Sequence, residues 1–479
     1  MINTIIHTTD SNNSYIYDYF NRLSMLIHPE FEKVYQKNSN VDLYYLKKYD
    51  YLKEHGFFSN HVPDNFGILD EKMVENSIVQ TRQIVFETTD SCNLNCTYCA
   101  LGDLYRGYDL REKKNINESS AIKLLKYIVD LKYKNKNNKL TIGFYGGEPL
   151  INIQFIKKIV EITKQMKFET GINFDYAMTS NGTLIHKCFR FLVENNFKLL
   201  ISLDGNEENH SYRFFKKNRK NSFQKVTENL DMIQRKYPEY FSSQVNFNAV
   251  LHNRNSVKEI YEFIYYRYKK IPRIAELNLR DIKQENKEIL KSIFNNRRKS
   301  EVEFQKEESE LFNLTHNESF AYRELTDFLK HFSVNYYVSN LNSLFQDSEK
   351  YLPTCTCIPF SLRIFLTNNN KLLPCEKINY NNSFGRISEN VEIDISDVTR
   401  QYNFYFDHIK KFCENCYVYR FCSVCIFHLS YIDKIDSQEF VCDNFHGQNA
   451  FKDKLFFIFS YFEKNPKDFP NIIENHMII

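Results

Sequence analysis

The stretch Gln83-Ile-Val-Phe-Glu-Thr-Thr-Asp-Ser-Cys92-Asn-Leu-Asn-Cys96-Thr-Tyr-Cys99 joins a strand to a cysteine loop. QIVFETT alternates and is rich in β-branched residues, which predicts a strand. The cysteines follow the carboxyl end of that strand, where parallel α/β folds place their chemistry. Three thiolates can hold three irons of a four-iron cluster and leave the fourth open to a substrate. Structural zinc, the alternative, needs a fourth ligand that the loop lacks.

Downstream of this loop, strand and helix patterns alternate. Amphipathic helical patterns separate four further predicted strands, LTIGFYGGEPL (140–150), NFDYAMTSNGT (173–183), FKLLISLDG (197–205) and VNFNAVL (245–251). Repeated βα units predict parallel strands joined by right-handed crossovers. Several strands end in polar, glycine-bearing loops, and glycine permits close approach of the backbone to a ligand. The same residue types are also common in ordinary turns.

The triplet, with Tyr98 before its third cysteine, resembles the hallmark of the radical S-adenosylmethionine (SAM) superfamily. The resemblance implies a partial (β/α)6 TIM-like barrel, and an open iron that chelates SAM for cleavage to a 5′-deoxyadenosyl radical. It also implies that the GGEP motif contacts the SAM amino group. It implies that Ser180, Asn181, Ser202 and Asp204 lie where the ribose and methionine moieties of SAM bind. It further implies that Arg213 pairs with the SAM carboxylate. The cofactor-binding residues are therefore expected to be Tyr98, Gly146, Gly147, Glu148, Pro149, Ser180, Asn181, Ser202, Asp204 and Arg213.

A second cysteine group follows in the last third of the chain, with eight members that could hold two four-iron clusters: Cys355, Cys357, Cys375, Cys413, Cys416, Cys422, Cys425 and Cys442. Four of them also fit a zinc ribbon, through two C-x2-C pairs. The group resembles the SPASM extension of radical SAM peptide-modifying enzymes. That resemblance implies an outer cluster on Cys413, Cys416, Cys422 and Cys442. It implies an inner cluster on Cys357, Cys375 and Cys425, with Cys355 as a candidate fourth ligand.

Two departures from the SPASM pattern leave the inner ligand set open. Only two residues separate Cys422 from Cys425, where the pattern has three, and Cys355 and Cys357 are unusually close together.

The remaining cysteine, Cys188, lies in an amphipathic helical pattern and is expected to be a small buried hydrophobe.

The composition predicts a cytoplasmic protein. The formal net charge of the 479 residues is +3, which implies no strong attraction to nucleic acid or membrane. No apolar run is long enough to span a bilayer, and the first residues lack the pattern of a secretory signal. In a reducing compartment, 12 cysteines are better explained as metal ligands than as disulfides.

The expected fold class is α/β: the barrel, a C-terminal cysteine-rich SPASM domain and a small N-terminal α+β region. The predicted domains are residues 1–80, 81–282 (barrel), 283–350 (helical bridge), 351–450 (auxiliary clusters) and 451–479 (C-terminal helix). Strand and helix patterns in residues 1–80 loosely resemble winged-helix leader-recognition domains, which bind a peptide at a sheet edge. A simple cap on the barrel is the alternative.

The resemblance implies three [4Fe-4S] clusters, SAM as cosubstrate, and an electron donor such as flavodoxin or ferredoxin. The expected activity is maturation of a ribosomally made peptide with a leader segment, by thioether or carbon–carbon crosslinking. The alternative is an anaerobic sulfatase maturase, in which Glu376, next to Cys375, would be the catalytic base. A metal-binding scaffold without enzymatic activity is a third hypothesis, but it leaves the GGEP loop unexplained.

Overall fold

The computed structural model describes residues 3–58, 66–307, 309–333 and 350–476. The chain divides into two compact units. The first unit comprises Met1–Ile68, His316–Thr356 and Phe404–Ile479, and the second comprises Leu69–Thr315 and Cys357–Asn403. No helix among the described residues is long and apolar enough to cross a membrane.

The second unit is built on a mainly parallel sheet, which confirms the α/β class and the partial barrel. Its eight strands lie in the order β11-β10-β4-β5-β6-β7-β8-β9. Their bounds are β4 (Gln83–Thr89), β5 (Lys139–Gly146), β6 (Asn173–Ser180), β7 (Lys198–Ser202), β8 (Val245–Val250), β9 (Arg273–Ala275), β10 (Arg363–Leu366) and β11 (Leu372–Leu373). β10 pairs parallel to β4 and antiparallel to β11. A small separate ladder joins β12 (Arg386–Ile387) to β13 (Val391–Glu392).

Helices connect these strands, as the alternating pattern predicts. They are α3 (Glu71–Val79), α4 (Glu118–Lys134), α5 (Ile153–Thr170), α6 (Phe189–Glu194), α7 (Phe223–Lys236), α8 (Pro238–Gln244), α9 (Val257–Tyr268), α10 (Lys287–Ile293), α11 (Arg297–Gln305) and α12 (Glu310–Thr315). The side chain of Asn117 caps the first turn of α4, and Gly171 ends α5 in the left-handed conformation. Leu124, Leu125 and Ile128 of α4 are fully buried, so its apolar stripe contributes to the core.

The first unit joins the two ends of the chain in one core. Its N-terminal sheet runs in the order β1 (Thr4–Thr8), β2 (Ser14–Asp18), β3 (Leu23–Leu26), and α1 (Pro29–Tyr35) and α2 (Leu43–Glu54) follow it. The later helices of this unit are α13 (Phe320–His331), the part of α14 (Ile395–Cys413) from Phe404 onward, α15 (Gln448–Lys464) and α16 (Asp468–His476). The ring of buried Tyr17 packs against Phe328 and Phe451, and its hydroxyl donates to the Phe332 carbonyl at 2.8 Å.

Candidate functional site

The cysteine triplet occupies the loop after β4, as predicted. The loop is fixed by backbone hydrogen bonds from Asn95 to Phe214 (2.8 Å) and from Thr97 to Tyr212 (3.1 Å). All three thiols are free. The Nδ2 of Asn181 donates to the Cys92 sulfur at 3.7 Å, so one predicted SAM contact directly touches the triplet.

The electrostatics of the triplet suit a metal cluster. The pKa of Cys92 is raised to about 11 and that of Cys96 to about 12, mainly by burial and in smaller part by neighbouring thiols of the triplet. Such thiols stay protonated until a metal displaces the protons, and metal binding then couples to proton release. A guanidinium nitrogen of Arg111 lies 3.7 Å from the Cys99 sulfur, a favourable partner for a thiolate. No group of three or more metal-ligand side chains stands in ligation geometry within the described residues, so the fit to a cluster rests on the donor chemistry.

The GGEP loop is bound to the start of the cysteine loop. The Gly147 amide donates to the Thr89 carbonyl and the Glu148 amide to the Ser91 carbonyl, both at 2.8 Å. A side chain at Gly147 would overlap the Ser91 carbonyl oxygen. The two motifs, about 50 residues apart in sequence, are therefore a single structural feature at the carboxyl ends of β4 and β5.

The side chain of Glu148 joins the loops at the carboxyl ends of β5 and β6 through hydrogen bonds. Its carboxylate is inaccessible to solvent and accepts hydrogen bonds from the Leu150 amide (3.1 Å), the Ser180 hydroxyl (2.9 Å) and the Asn181 amide (2.7 Å). Burial raises the pKa of Glu148 to about 7, although these three donors oppose the shift. The side chains of Glu148 and Ser180 are thus engaged with each other, while Pro149 begins a short 3-10 turn, Pro149–Asn152.

Asp204 and Arg213 are bound to each other. The Nε and a terminal nitrogen of Arg213 donate to the two carboxylate oxygens of Asp204 at 2.9 and 3.1 Å. Burial alone would raise the pKa of Asp204, but Arg213 holds it well below its usual range. The Tyr98 hydroxyl also donates to Asp204, and the Arg213 guanidinium lies over the Tyr98 ring at 5.3 Å. Ser202 is the last residue of β7, two positions before Asp204. Contacts of these four residues with SAM stay predictions.

Four cysteines of the second group come together in the first unit. The electrostatic neighbours that raise the pKa of Cys413, after burial, are Cys416, Cys422 and Cys442. The Cys416 sulfur accepts from the His446 amide at 3.4 Å, and the Cys422 sulfur from Asn444 Nδ2 at 3.7 Å. This is the set predicted for the outer cluster, and thiolates that accept such hydrogen bonds are typical cluster ligands.

The predicted inner set is divided between the units. Cys357 and Cys375 lie in the second unit, where both favour the charged form of the Arg363 guanidinium. Cys355 and Cys425 lie in the first, and the Cys355 amide donates to the Val424 carbonyl at 3.0 Å. The convergence of Cys357, Cys375 and Cys425 on one cluster, and the role of Cys355, stay predictions.

A cavity of about 800 Å³ lies inside the barrel, and its wall includes the predicted base, Glu376. The Arg363 guanidinium contacts both Glu376 carboxylate oxygens, at 2.5 and 2.7 Å. Tyr145, also in the wall, has its pKa raised by burial and then by Glu376, Cys99 and Cys375. Tyr145 therefore lies within electrostatic reach of both cysteine sites of this unit.

Sequence reasoning missed Arg363 and Tyr145. Arg363 is the first residue of β10, Tyr145 lies near the end of β5, and both line the cavity. The available signal was an arginine within the mainly apolar segment SLRIFL (361–366). It could not be used because the parallel pairing of β10 with β4 joins residues about 280 positions apart.

Comparisons with known proteins agree with this geometry. Residues 86–264 match the radical SAM superfamily. The chain is 33% identical over 186 residues to a cysteine-type anaerobic sulfatase-maturating enzyme of Clostridium novyi, covering 38% of this chain and 46% of the relative. It is 26% identical over 179 residues to the radical SAM cyclopropyl synthase TigE of Paramaledivibacter caminithermalis, covering 36% of each. The chain thus spans less than half of these relatives.

A solved structure extends the likeness to the fold of most of the chain. Native anSMEcpe with bound AdoMet superposes with a TM-score of 0.51 at 19% identity, covering 83% of this chain and all of the other. Residues 86–264 are thus a radical SAM domain. The radical SAM superfamily, which these residues match, uses a [4Fe-4S] cluster and SAM as cofactors.

Proposed function

We propose that this chain is a radical SAM maturase that modifies a ribosomally made peptide, by forming a thioether or carbon–carbon crosslink. The observation that carries the proposal is the joined pair of loops at the carboxyl ends of β4 and β5. There, the free thiols of Cys92, Cys96 and Cys99 adjoin the GGEP backbone. A cluster bound there would cleave SAM reductively to a 5′-deoxyadenosyl radical.

The protein's own residues would hold and orient these groups. Cys92, Cys96 and Cys99 would supply three thiolates, and the Gly146–Pro149 backbone would bind the SAM amino group. Asn181 fixes the loop by donating to the Cys92 sulfur and to Asn93 Oδ1 at 2.9 Å. The barrel cavity of about 800 Å³ is large enough for a cofactor and part of a peptide, and ligand pockets of this size are common. Ser180, Ser202, Asp204 and Arg213 complete the proposed SAM site.

Two auxiliary clusters complete the proposed cofactor set. The outer one would use Cys413, Cys416, Cys422 and Cys442, whose thiols are mutual electrostatic neighbours. The inner one would use Cys357, Cys375 and Cys425, with Cys355 as a candidate. A flavodoxin or ferredoxin would supply electrons, and a reducing compartment such as the cytoplasm would keep the thiolates available.

The N-terminal sheet supports the choice of a peptide substrate. Among the described strands, β3 pairs only with β2, so its outer edge has no strand partner there. An extended leader peptide can add to such an edge through main-chain hydrogen bonds. Leu26, at the end of β3, is 63% exposed and would contact the added strand. Leu26→Asp should weaken leader binding in an anisotropy titration and leave peptide-free SAM cleavage unchanged.

The test uses anaerobically reconstituted protein, dithionite and SAM, with a precursor peptide encoded near the gene. We expect 5′-deoxyadenosine together with a peptide that has lost two hydrogen atoms, the signature of a crosslink. Cys96→Ala should abolish both products, while Cys188→Ala, outside the site, should retain both. Formation of 5′-deoxyadenosine with no precursor modified would contradict the peptide proposal and leave the radical SAM class intact.

Sulfatase maturation is the second candidate. It is favoured by the 33% identity to a sulfatase-maturating enzyme and by Glu376 in the cavity wall beside Cys375. Against it, both oxygens of Glu376 are engaged by Arg363, which restricts the access of the carboxylate to a substrate proton. A sulfatase-derived cysteine peptide converted to an aldehyde would establish this activity instead.

A further inference from the structure

Tyr19 is a buried tyrosine with no hydrogen-bond partner for its hydroxyl. The residue follows β2, is 1% exposed, and its hydroxyl oxygen is bonded to no atom of the described residues. Buried polar groups in proteins are nearly always paired, so an orphaned hydroxyl calls for an explanation such as a missing ligand.

The surroundings of Tyr19 lead to the outer cysteine set. Its ring packs edge-on against the ring of Tyr417, with the ring centroids 5.1 Å apart. Tyr417 is the residue that directly follows Cys416 in the chain. Cys416 is also among the groups that raise the pKa of Tyr19, after burial and neighbouring tyrosines, so its sulfur lies within electrostatic reach of the hydroxyl. The nearest cation does not satisfy the hydroxyl, since Arg420 donates to Tyr419 (3.2 Å) and to the Phe20 carbonyl (3.1 Å).

We propose that Tyr19 donates a hydrogen bond to a sulfur of the iron–sulfur cluster held by Cys413, Cys416, Cys422 and Cys442. This inference rests on the proposed outer cluster. The bound cluster would bring sulfide and thiolate acceptors to a hydroxyl that has no acceptor among the described residues. A hydrogen bond to cluster sulfur stabilises the more negative, reduced state and raises the reduction potential. Tyr19 is thus a positioning and potential-tuning residue, contributed by the N-terminal region.

Tyr19→Phe tests this role because it keeps the packed ring and removes only the hydroxyl. Tyr17→Phe is the matched control: Tyr17 is equally buried and two residues away, but its hydroxyl already donates to the Phe332 carbonyl. Both changes are made in a protein carrying Cys92→Ala, Cys96→Ala and Cys99→Ala, which removes the signal of the SAM-binding cluster. Adding Cys413→Ala to this protein then identifies the outer cluster, as the one whose electron paramagnetic resonance signal disappears.

The readout is a reductive titration followed by electron paramagnetic resonance. At a fixed poised potential, Tyr19→Phe should lower the ratio of reduced to oxidised outer cluster about fivefold, as expected for one hydrogen bond of ordinary net strength. Its pulsed spectrum in D2O should lose one exchangeable deuteron coupling, and Tyr17→Phe should match the parent in both respects. Unchanged potential and coupling in Tyr19→Phe, with the cluster present, would overturn the inference alone. Absence of iron from the outer site in the parent would overturn the proposed cluster as well.

Discussion

A carboxylate that no solvent reaches connects the loops of the candidate site. Glu148 lies in a GGEP motif that sequence reasoning assigned to SAM binding, yet its side chain accepts three hydrogen bonds from the β5 and β6 loops. Contact of the motif's backbone with SAM stays a prediction. Sequence could indicate the motif, but not which of its atoms are used internally, because those contacts join Glu148 to residues 32 and 33 positions away.

Replacing Glu148 by Gln should destabilise the fold. The amide offers one acceptor oxygen, so at least one of the three buried donors loses its partner, at a cost of about 1–3 kcal/mol. Urea unfolding measures the change, with exposed Glu161→Gln as the surface control, expected to lie within about 0.5 kcal/mol of the parent. Equal stability of the two variants would show that the Glu148 hydrogen bonds are dispensable.

Glu87 gives the stability a dependence on pH. Burial raises its pKa from 4.5 to about 7, against the opposing hydrogen bonds from Asn368 and Tyr380. Between these values the native state holds a proton that the unfolded chain has released. The stabilisation that protonated Glu87 adds to the unfolding free energy is therefore complete below the pKa of the unfolded chain. It is lost as the pH rises through 7. Glu148, shifted in the same direction, adds to the effect.

Glu87→Gln should flatten this dependence. Between about pH 5 and about pH 8, the variant should lose roughly 1–3 kcal/mol less unfolding free energy than the parent. Urea titrations at several pH values provide the comparison. A variant whose pH profile is superimposable on that of the parent would exclude Glu87 as the titrating group.

The Asp204–Arg213 pair is the third test at the scale of single residues. Both side chains are buried, at 0% and 8% exposure, so removing the cation leaves an uncompensated buried carboxylate. Arg213→Met should lower the unfolding free energy by about 3–5 kcal/mol. Arg254→Met, which removes an exposed arginine from the same region, should cost less than about 1 kcal/mol. Comparable losses in the two variants would contradict the buried-pair interpretation.

Among the elements, local pattern predicted the strands well and their long-range partners poorly. The strands β4 to β8 were each recognisable from alternation and a polar loop at the end. β9 was missed because Arg273–Ala275 is too short for periodicity to register. The segments SLRIFLT (361–367) and KLLPC (371–375) predict a hairpin around a turn at Asn368–Asn370. The structure forms this hairpin as β10 and β11, and Asn370 adopts a φ of +62° in the turn. Its place in the barrel sheet beside β4 was not predicted.

The contact between the two loops at the sheet edge can be tested through glycine. Gly147→Ala forces the GGEP backbone away from Ser91, because both clashing groups are main chain. We expect reconstituted protein to hold about one cluster fewer and to bind SAM weakly, as measured by iron content and equilibrium dialysis. Gly171→Ala is the control: its φ of +74° imposes backbone strain, but no atom lies within 4 Å of the added methyl. Full iron content in Gly147→Ala would show that the close approach is unnecessary.

For the whole molecule, the main surprise is the membership of the first unit. Sequence analysis treated residues 1–80 as a region of their own, whereas the unit contains residues 1–68 together with the outer cysteines and α15, and residues 69–80 belong to the second unit. Tyr17 and Tyr19 pack against Phe451, more than 430 positions away. Periodicity and motifs describe one segment of the chain at a time, so they cannot predict a contact between two segments that are far apart in sequence. The proposed domain boundaries stay predictions.

The central claim is that Cys92, Cys96 and Cys99 hold a four-iron cluster with one iron free to bind and cleave SAM. The most direct measurement is formation of 5′-deoxyadenosine by anaerobically reconstituted protein, quantified by chromatography. We predict that the product depends on reductant and SAM and disappears in Cys96→Ala, while the auxiliary clusters remain. Iron-replete protein that leaves SAM intact under reducing conditions would contradict it.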